Sequence, residues 1–149
     1  TIQEIWKDTE GEFDYLVAGV GTGGTLSGSA RWLKEKNSNI EIVAVEPLES
    51  PVLSQGRAGS HDIEGIGAGF IPETLETGLI DRIYTVEGEE ARSAARWLAR
   101  TQGIVAGVSA GAALAASFQL TGELSHENKK IVTILPDTGE RYLSEDLFS

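Results

Sequence analysis

The stretch AGVGTGGTLSG, Ala18–Gly28, holds five glycines and three hydroxyl residues in eleven positions. A turn needs one glycine or two, so this density describes backbone that comes very close to a ligand or to another part of the chain. Gly21, Thr22, Gly23, Gly24 and Thr25 offer successive backbone N–H donors with two hydroxyls beside them. At the start of a helix such donors bind anions, and the helix dipole adds to them. A donor-rich cup suits the three oxygens of a terminal phosphate monoester. The same residues, Gly19 to Gly24, also satisfy G-x-G-x-x-G, and Glu46 stands about 20 residues on, where a ribose-binding acid would sit. A dinucleotide is therefore the second ligand this loop could take.

Two further stretches could do chemistry. EGIGAGFIP, Glu64–Pro72, is a glycine-rich apolar loop in which Gly65 and Gly67 permit close approach to a flat group. GVSAGAALA, Gly107–Ala115, sets Ser109 among small residues at the N-cap position of a helix. Gly107-Val108-Ser109-Ala110-Gly111 also matches G-x-S-x-G, which raises a hydrolase with His126, in the polar SHENKK stretch, as its downstream histidine.

These loops need elements to hold them. Asp14–Val20, Ile40–Glu46, Arg82–Glu87 and Lys130–Pro136 read as strands: short, rich in β-branched residues and almost continuously apolar. Gly24–Asn37, Glu89–Gln102 and Ser109–Leu120 carry apolar residues at helical spacing, with Gly103 as the C-terminal cap of the second. The opening residues, with Ile2, Ile5 and Trp6, read as the end of an amphipathic helix. Strands alternating with helices predict one α/β domain over residues 1–149. Its open parallel sheet has about four strands, with helices on both faces and the glycine loops at the strands' C-terminal ends.

Composition narrows the function classes. The net charge of −11 argues against nucleic acid and anionic membrane as partners, because both call for basic patches. With no cysteine, the chain has no disulfide, thiolate metal site or cysteine nucleophile. His61 and His126 lack metal-ligand spacing, and no apolar run reaches membrane-span length. A soluble, cytoplasmic protein is expected. The chain contains no methionine and reads as a piece of a longer protein.

In order, the segments EIWKDTEGEFD, GVGTGGTLSG, VEPLESPVLSQG, IEGIGAGFIPETL, GIVAGVSAGAA and ILPDTGERYLS resemble the fold-type II pyridoxal-phosphate enzymes, the cysteine synthase (O-acetylserine sulfhydrylase) family in particular. The resemblance implies that Gly21, Thr22, Gly23, Gly24 and Thr25 cradle the 5′-phosphate of pyridoxal phosphate. It implies that Gly65 and Gly67 line the ring and substrate side, and that Ser109 hydrogen-bonds the pyridine nitrogen. Asp137, where cysteine synthases carry serine or aspartate, becomes a further candidate near the ring. A serine does not protonate the ring as a carboxylate would, and the milder electron sink suits β-replacement. The implied activity is replacement of the acetate of O-acetylserine by sulfide, in a homodimer that also associates with serine acetyltransferase. Cystathionine β-synthase is the alternative inside the superfamily. A nicotinamide-dependent oxidoreductase and a non-catalytic binding module are the alternatives outside it.

The family's Schiff-base lysine belongs to sequence preceding this chain, and each lysine here has a structural reading. No catalytic residue is therefore expected in these 149 residues, which should be inactive alone and should leave apolar surface uncovered.

Overall fold

The computed structural model describes residues 1–124, 128–142 and 146–148. Helices α1 (Ile2–Thr9), α2 (Gly24–Lys36), α3 (Val52–Gln55), α4 (Gly88–Gln102) and α5 (Val108–Glu123) are interleaved with strands β1 (Tyr15–Gly19), β2 (Glu41–Pro47), β3 (Arg82–Val86) and β4 (Ile131–Thr133). The strands form one parallel sheet in the order β3-β2-β1-β4.

Side-chain alternation along the two central strands decides what lies on each face. Tyr15, Val17, Val43 and Val45 join the core under α4 and α5, against Ala91, Ala95, Ala112, Ala116 and Leu120. Their neighbours Leu16, Ala18, Ile42 and Ala44 join the core under α2, against Leu26, Ala30 and Leu33. Both faces of the sheet are thus covered by helices, and the near-continuous apolar character of β1 and β2 follows. At the start of the chain, Trp6 of α1 meets Trp32 of α2 edge to face, with ring centroids 5.5 Å apart.

Two boundaries differ from the sequence reading. The fourth strand keeps ladder pairing only over Ile131–Thr133, although the Ile134 N–H still bonds Val17 O at 2.9 Å. It is an edge strand with a half-buried face, so little beyond β1 holds it in register. The last long helix starts earlier than Ser109, with Gly107 as its N-cap. Ser109 is therefore a residue of the first turn and not the cap. Gly103 does end α4, in the left-handed conformation with φ 69°.

Helices α4 and α5 meet with almost no side chain between them. A Cβ added to Gly111 would lie 2.0 Å from the carbonyl oxygen of Ala91, whereas one on Gly122 of the same helix would touch nothing within 4 Å. The two positions should therefore respond to the same substitution with opposite signs. Gly111→Ala is expected to destabilise the chain by about 2–3 kcal/mol through overpacking. Gly122→Ala should stabilise it by about 0.5–1 kcal/mol by removing a flexible helical residue. Chemical denaturation of the two variants checks both.

Candidate functional site

The glycine-rich loop joins the C-terminal end of β1 to α2. Val20 N–H is the last amide to bond the sheet, to Val45 O, and Ser27 N–H is the first to bond back into the helix, to Gly23 O. Between them the backbone amides of residues 21–26 have no hydrogen-bond acceptor among the described residues. Gly23, at φ 83°, turns the chain into α2 in a conformation that costs any side-chain-bearing residue strain. The side chains of Thr22 and Thr25 are exposed beside these amides, and neither hydroxyl has a hydrogen-bond partner among the described residues. The result is a cluster of unspent donors at a helix N-terminus, next to a cleft of about 240 Å³ lined by Gly21, Thr22, Gly23, Thr25, Gly65 and Pro136 among others.

The second glycine loop forms the opposite wall. A Cβ on Gly21 would stand 2.5 Å from Gly65 O, so the two loops touch backbone to backbone. On its other side Gly65 faces Ser109, whose Oγ would lie 3.5 Å from a Cβ at Gly65. Ser109 is only 3% exposed, and its hydroxyl makes no hydrogen bond among the described residues. Capping by Gly107 has left that hydroxyl unused. Gly67 does not line the 240 Å³ cleft as expected. It lies one step behind, wedged where a Cβ would meet His61 Nε2 and Pro47 Cγ, each at 2.6 Å. Asp137 follows Pro136 and is half-buried, but it does not border the cleft.

Several residues that shape the site carried no signal in the sequence. Thr74 donates its hydroxyl to Thr22 O, turning the opposite edge of that peptide, the Gly23 N–H, the other way. Ser27 Oγ accepts the Glu76 N–H at 2.8 Å, and Leu75 packs so closely that a Cβ on Gly23 would lie 2.8 Å from its Cβ. The Pro72–Glu76 segment is thus strapped onto the start of α2. Only tertiary contacts reveal this.

Glu46 has a different role from the ribose acid of the dinucleotide reading. It is buried at the end of β2, and its two carboxylate oxygens accept the N–H groups of Leu53 and Ser54 at 2.7 and 2.9 Å. Those are otherwise unpaired first-turn amides of α3, so the carboxylate is spent as a cap. The hydrolase reading needs His126, which lies outside the described residues.

A larger cleft of about 680 Å³ shares Gly65 and Ile66 with the first and is bordered by Asp62, Glu89, Arg92 and Arg96. Its arginines are paired with carboxylates: Arg92 with Asp62 and Glu89, Arg96 with Glu89. Hydrogen bonds from Arg96 first, then Arg92, hold the Glu89 carboxyl below its ordinary range. Among the described residues no cluster suited to a metal ion occurs.

None of the lysines borders the glycine cleft. Lys34 pairs with Asp81 just before β3, and Lys129 and Lys130 pair with Asp14 and Glu12 just before β1. Lys36 lies over Trp32 near the end of α2, and Lys7 is in the last turn of α1. The lysines paired with Glu12, Asp14 and Asp81 cluster where the strands begin, whereas the glycine loops lie where they end.

Comparison with known proteins agrees with this geometry. Residues 1–137 match the family described as pyridoxal-phosphate dependent enzyme. The chain belongs to that family. It is 51% identical to cysteine synthase of Buchnera aphidicola subsp. Schizaphis graminum, and 50% identical to cysteine synthase A of Escherichia coli K12. Each match covers 98% of this chain and 48% of the relative. Among solved structures, O-acetyl serine sulfhydrylase isoform 3 from Entamoeba histolytica superimposes with a TM-score of 0.95 at 46% identity, over 99% of this chain and 44% of that one. A hydrogen sulfide-producing enzyme from Fusobacterium nucleatum does so with a TM-score of 0.92 at 40% identity, over 95% of this chain and 48% of that one. The chain spans about half the length of the curated relatives it matches. Two groups of donors in this family member have no acceptor among the described residues: the amides of residues 21–26 on the cleft and, behind Gly65, the Ser109 hydroxyl. Among the described residues no helix is long and apolar enough to cross a membrane.

Three outcomes follow from this geometry. Glu46→Ala should cost about 1–2 kcal/mol in chemical denaturation, as loss of a helix cap does. Adenine dinucleotide should protect neither the variant nor the parent chain against heat. Glu89→Gln should flatten the pH dependence of stability on the acid side. A carboxyl held below its ordinary range stabilises the fold above about pH 4.3 and stops doing so as pH falls through that range. Urea midpoints between pH 6 and pH 3 measure the difference.

Proposed function

We propose that this chain is the cofactor-phosphate lobe of a cysteine synthase, which replaces the acetate of O-acetylserine with sulfide to give cysteine. The observation that carries the reading is the run of amides at residues 21–26, without an acceptor among the described residues, on a cleft whose opposite wall is Gly65, with the Ser109 side chain directly behind Gly65. Identity near one-half with cysteine synthases over nearly the whole chain supports the choice of reaction.

In this reading Gly21, Thr22, Gly23, Gly24 and Thr25 hold the phosphate of pyridoxal phosphate, with Gly65 against the ring. When bound, the cofactor draws electrons from the substrate's α-carbon. The protein's own share is orientation and electrostatics. Backbone amides carry no formal charge, yet in the low dielectric of the cleft they fix a dianion firmly. Ser109 offers a neutral hydroxyl to the ring nitrogen and no carboxylate to protonate it, which favours loss and replacement of a β-substituent. Asp137 acts from further out, beyond Pro136. Gly67 supports the ring wall from behind.

No lysine borders the cleft, so the covalent anchor comes from outside these 149 residues, and the chain alone does not turn over substrate. Phe70, 65% exposed, and Ile71, 50% exposed, lie at the same edge as the glycine loops and form part of the surface a second lobe covers. The whole enzyme works as a cytoplasmic homodimer and associates with serine acetyltransferase.

Thermal unfolding of the pure chain with pyridoxal phosphate, and separately with inorganic phosphate, tests the reading. Both should raise the midpoint in a concentration-dependent way. Gly21→Ala, whose Cβ strikes Gly65 O, should abolish the effect. Borohydride reduction followed by mass spectrometry should find no single stoichiometric lysine adduct. A stoichiometric adduct on one lysine, or cysteine formed from O-acetylserine and sulfide by the chain alone, would overturn the half-site assignment. No protection by either ligand would overturn the cup.

A further inference from the structure

His61 sits behind the second glycine loop, and both its ring nitrogens are engaged. The Ile63 N–H donates to Nδ1 at 3.1 Å, so the ring's proton resides on Nε2. Nε2 in turn donates to Gly67 O at 2.7 Å. The other end of the same residue is held as well, since the Gly67 N–H bonds Val20 O at 3.1 Å. Gly67 is thus tied to the end of β1 through its amide and to His61 through its carbonyl, with Pro47 filling the remaining side.

This tie matters because the loop has little order of its own. Gly65, Gly67 and Gly69 all adopt left-handed backbone, with φ of 92°, 68° and 86°. Three glycines in five residues carry a large entropy cost on being fixed. Yet Gly65 must be fixed, because its carbonyl touches Gly21 and its Cα faces Ser109. Ile66, between the two tied points, packs against Gly19, where a Cβ would lie 2.7 Å from Ile66 Cγ2. Among the described residues His61 is the one whose side chain hydrogen-bonds into Gly65–Gly69.

We propose that His61 is the positioning residue of the ring-side wall: as a neutral Nε2–H tautomer it holds Gly67, and through it Gly65 and Ile66, in the place where Gly65, backed by Ser109, meets a pyridine ring in the cleft. The proposal rests on the cofactor reading above. It concerns the ring and not the phosphate, which is held by amides that His61 does not touch.

Two substitutions separate the bonds. In His61→Gln the amide nitrogen stands where Nε2 does and can still donate to Gly67 O. In His61→Asn the amide oxygen stands where Nδ1 does, keeping the bond to Ile63 N–H and losing the one to Gly67. Hydrogen exchange at the Gly67 amide, read by NMR on the ligand-free chain, should quicken ~tenfold in His61→Asn, as loss of one hydrogen bond implies. It should stay near the parent rate in His61→Gln. The dissociation constant for pyridoxal phosphate should rise several-fold in His61→Asn while that for inorganic phosphate stays unchanged, and His61→Gln should restore it.

An Asn variant with parent-like exchange at Gly67 and a parent-like ratio of the two constants would overturn the proposal. So would equal weakening of both ligands, which would mark His61 as a general support of the fold. If the parent chain binds neither ligand, the cofactor reading falls. The clamp on Gly67 then stands or falls on the exchange rates alone.

Discussion

The site depends on one close approach: Gly21 and the Gly65 carbonyl are so near that no side chain fits between them. The sheet makes this possible by ending β1 and β2 side by side, with Ala18 opposite Ala44 and Gly19 opposite Val45. Each loop that leaves those ends must then share the same narrow space. The strap from Pro72 to Glu76 and the tie from His61 to Gly67 press the two loops together from opposite sides. A cleft wall made of backbone leaves its amides and carbonyls in place without rotamer freedom, so little order remains to be imposed when a ligand arrives.

Polarity is divided along the sheet. At the strand starts, cationic side chains meet carboxylates; at the strand ends, neutral donors remain unspent. In a chain of net charge −11 this arrangement leaves backbone donors at the strand ends without a local excess of basic side chains. The Arg92–Asp62 and Arg96–Glu89 pairs beside the larger cleft follow the same economy, since each cation there already has its carboxylate.

Local sequence carried the fold far. β1 and β2 are legible because alternate residues must satisfy helices on both faces, which leaves almost no polar position. The donor-rich loop is legible because glycine density and hydroxyl spacing are local properties of residues 19–28. Ser109 was legible as a residue near a helix start, but its freedom was not: whether a hydroxyl caps a helix depends on where the first turn begins, and Gly107 took that place. Glu46 shows the opposite failure. Its spacing from the glycine loop suited a ribose, yet the amides it satisfies belong to a four-residue helix that no pattern announces. Gly67 and His61 become partners only when the loop folds back on the end of β2, and spacing for metal ligation was the wrong question to ask of that histidine.

The contact between Gly111 and the Ala91 carbonyl bears on how the cleft can move. It locks α5, and with it Ser109, to α4 without an intervening cushion of side chain that could deform. Ser109 therefore belongs to a fixed jaw. The opposing side is the span from His61 to Glu76, built largely of loop and held by scattered hydrogen bonds and by the buried side chains of Ile63, Ile66 and Leu75. Any give between the two sides of Gly65 falls to that span, because the helix that carries Ser109 has none to offer.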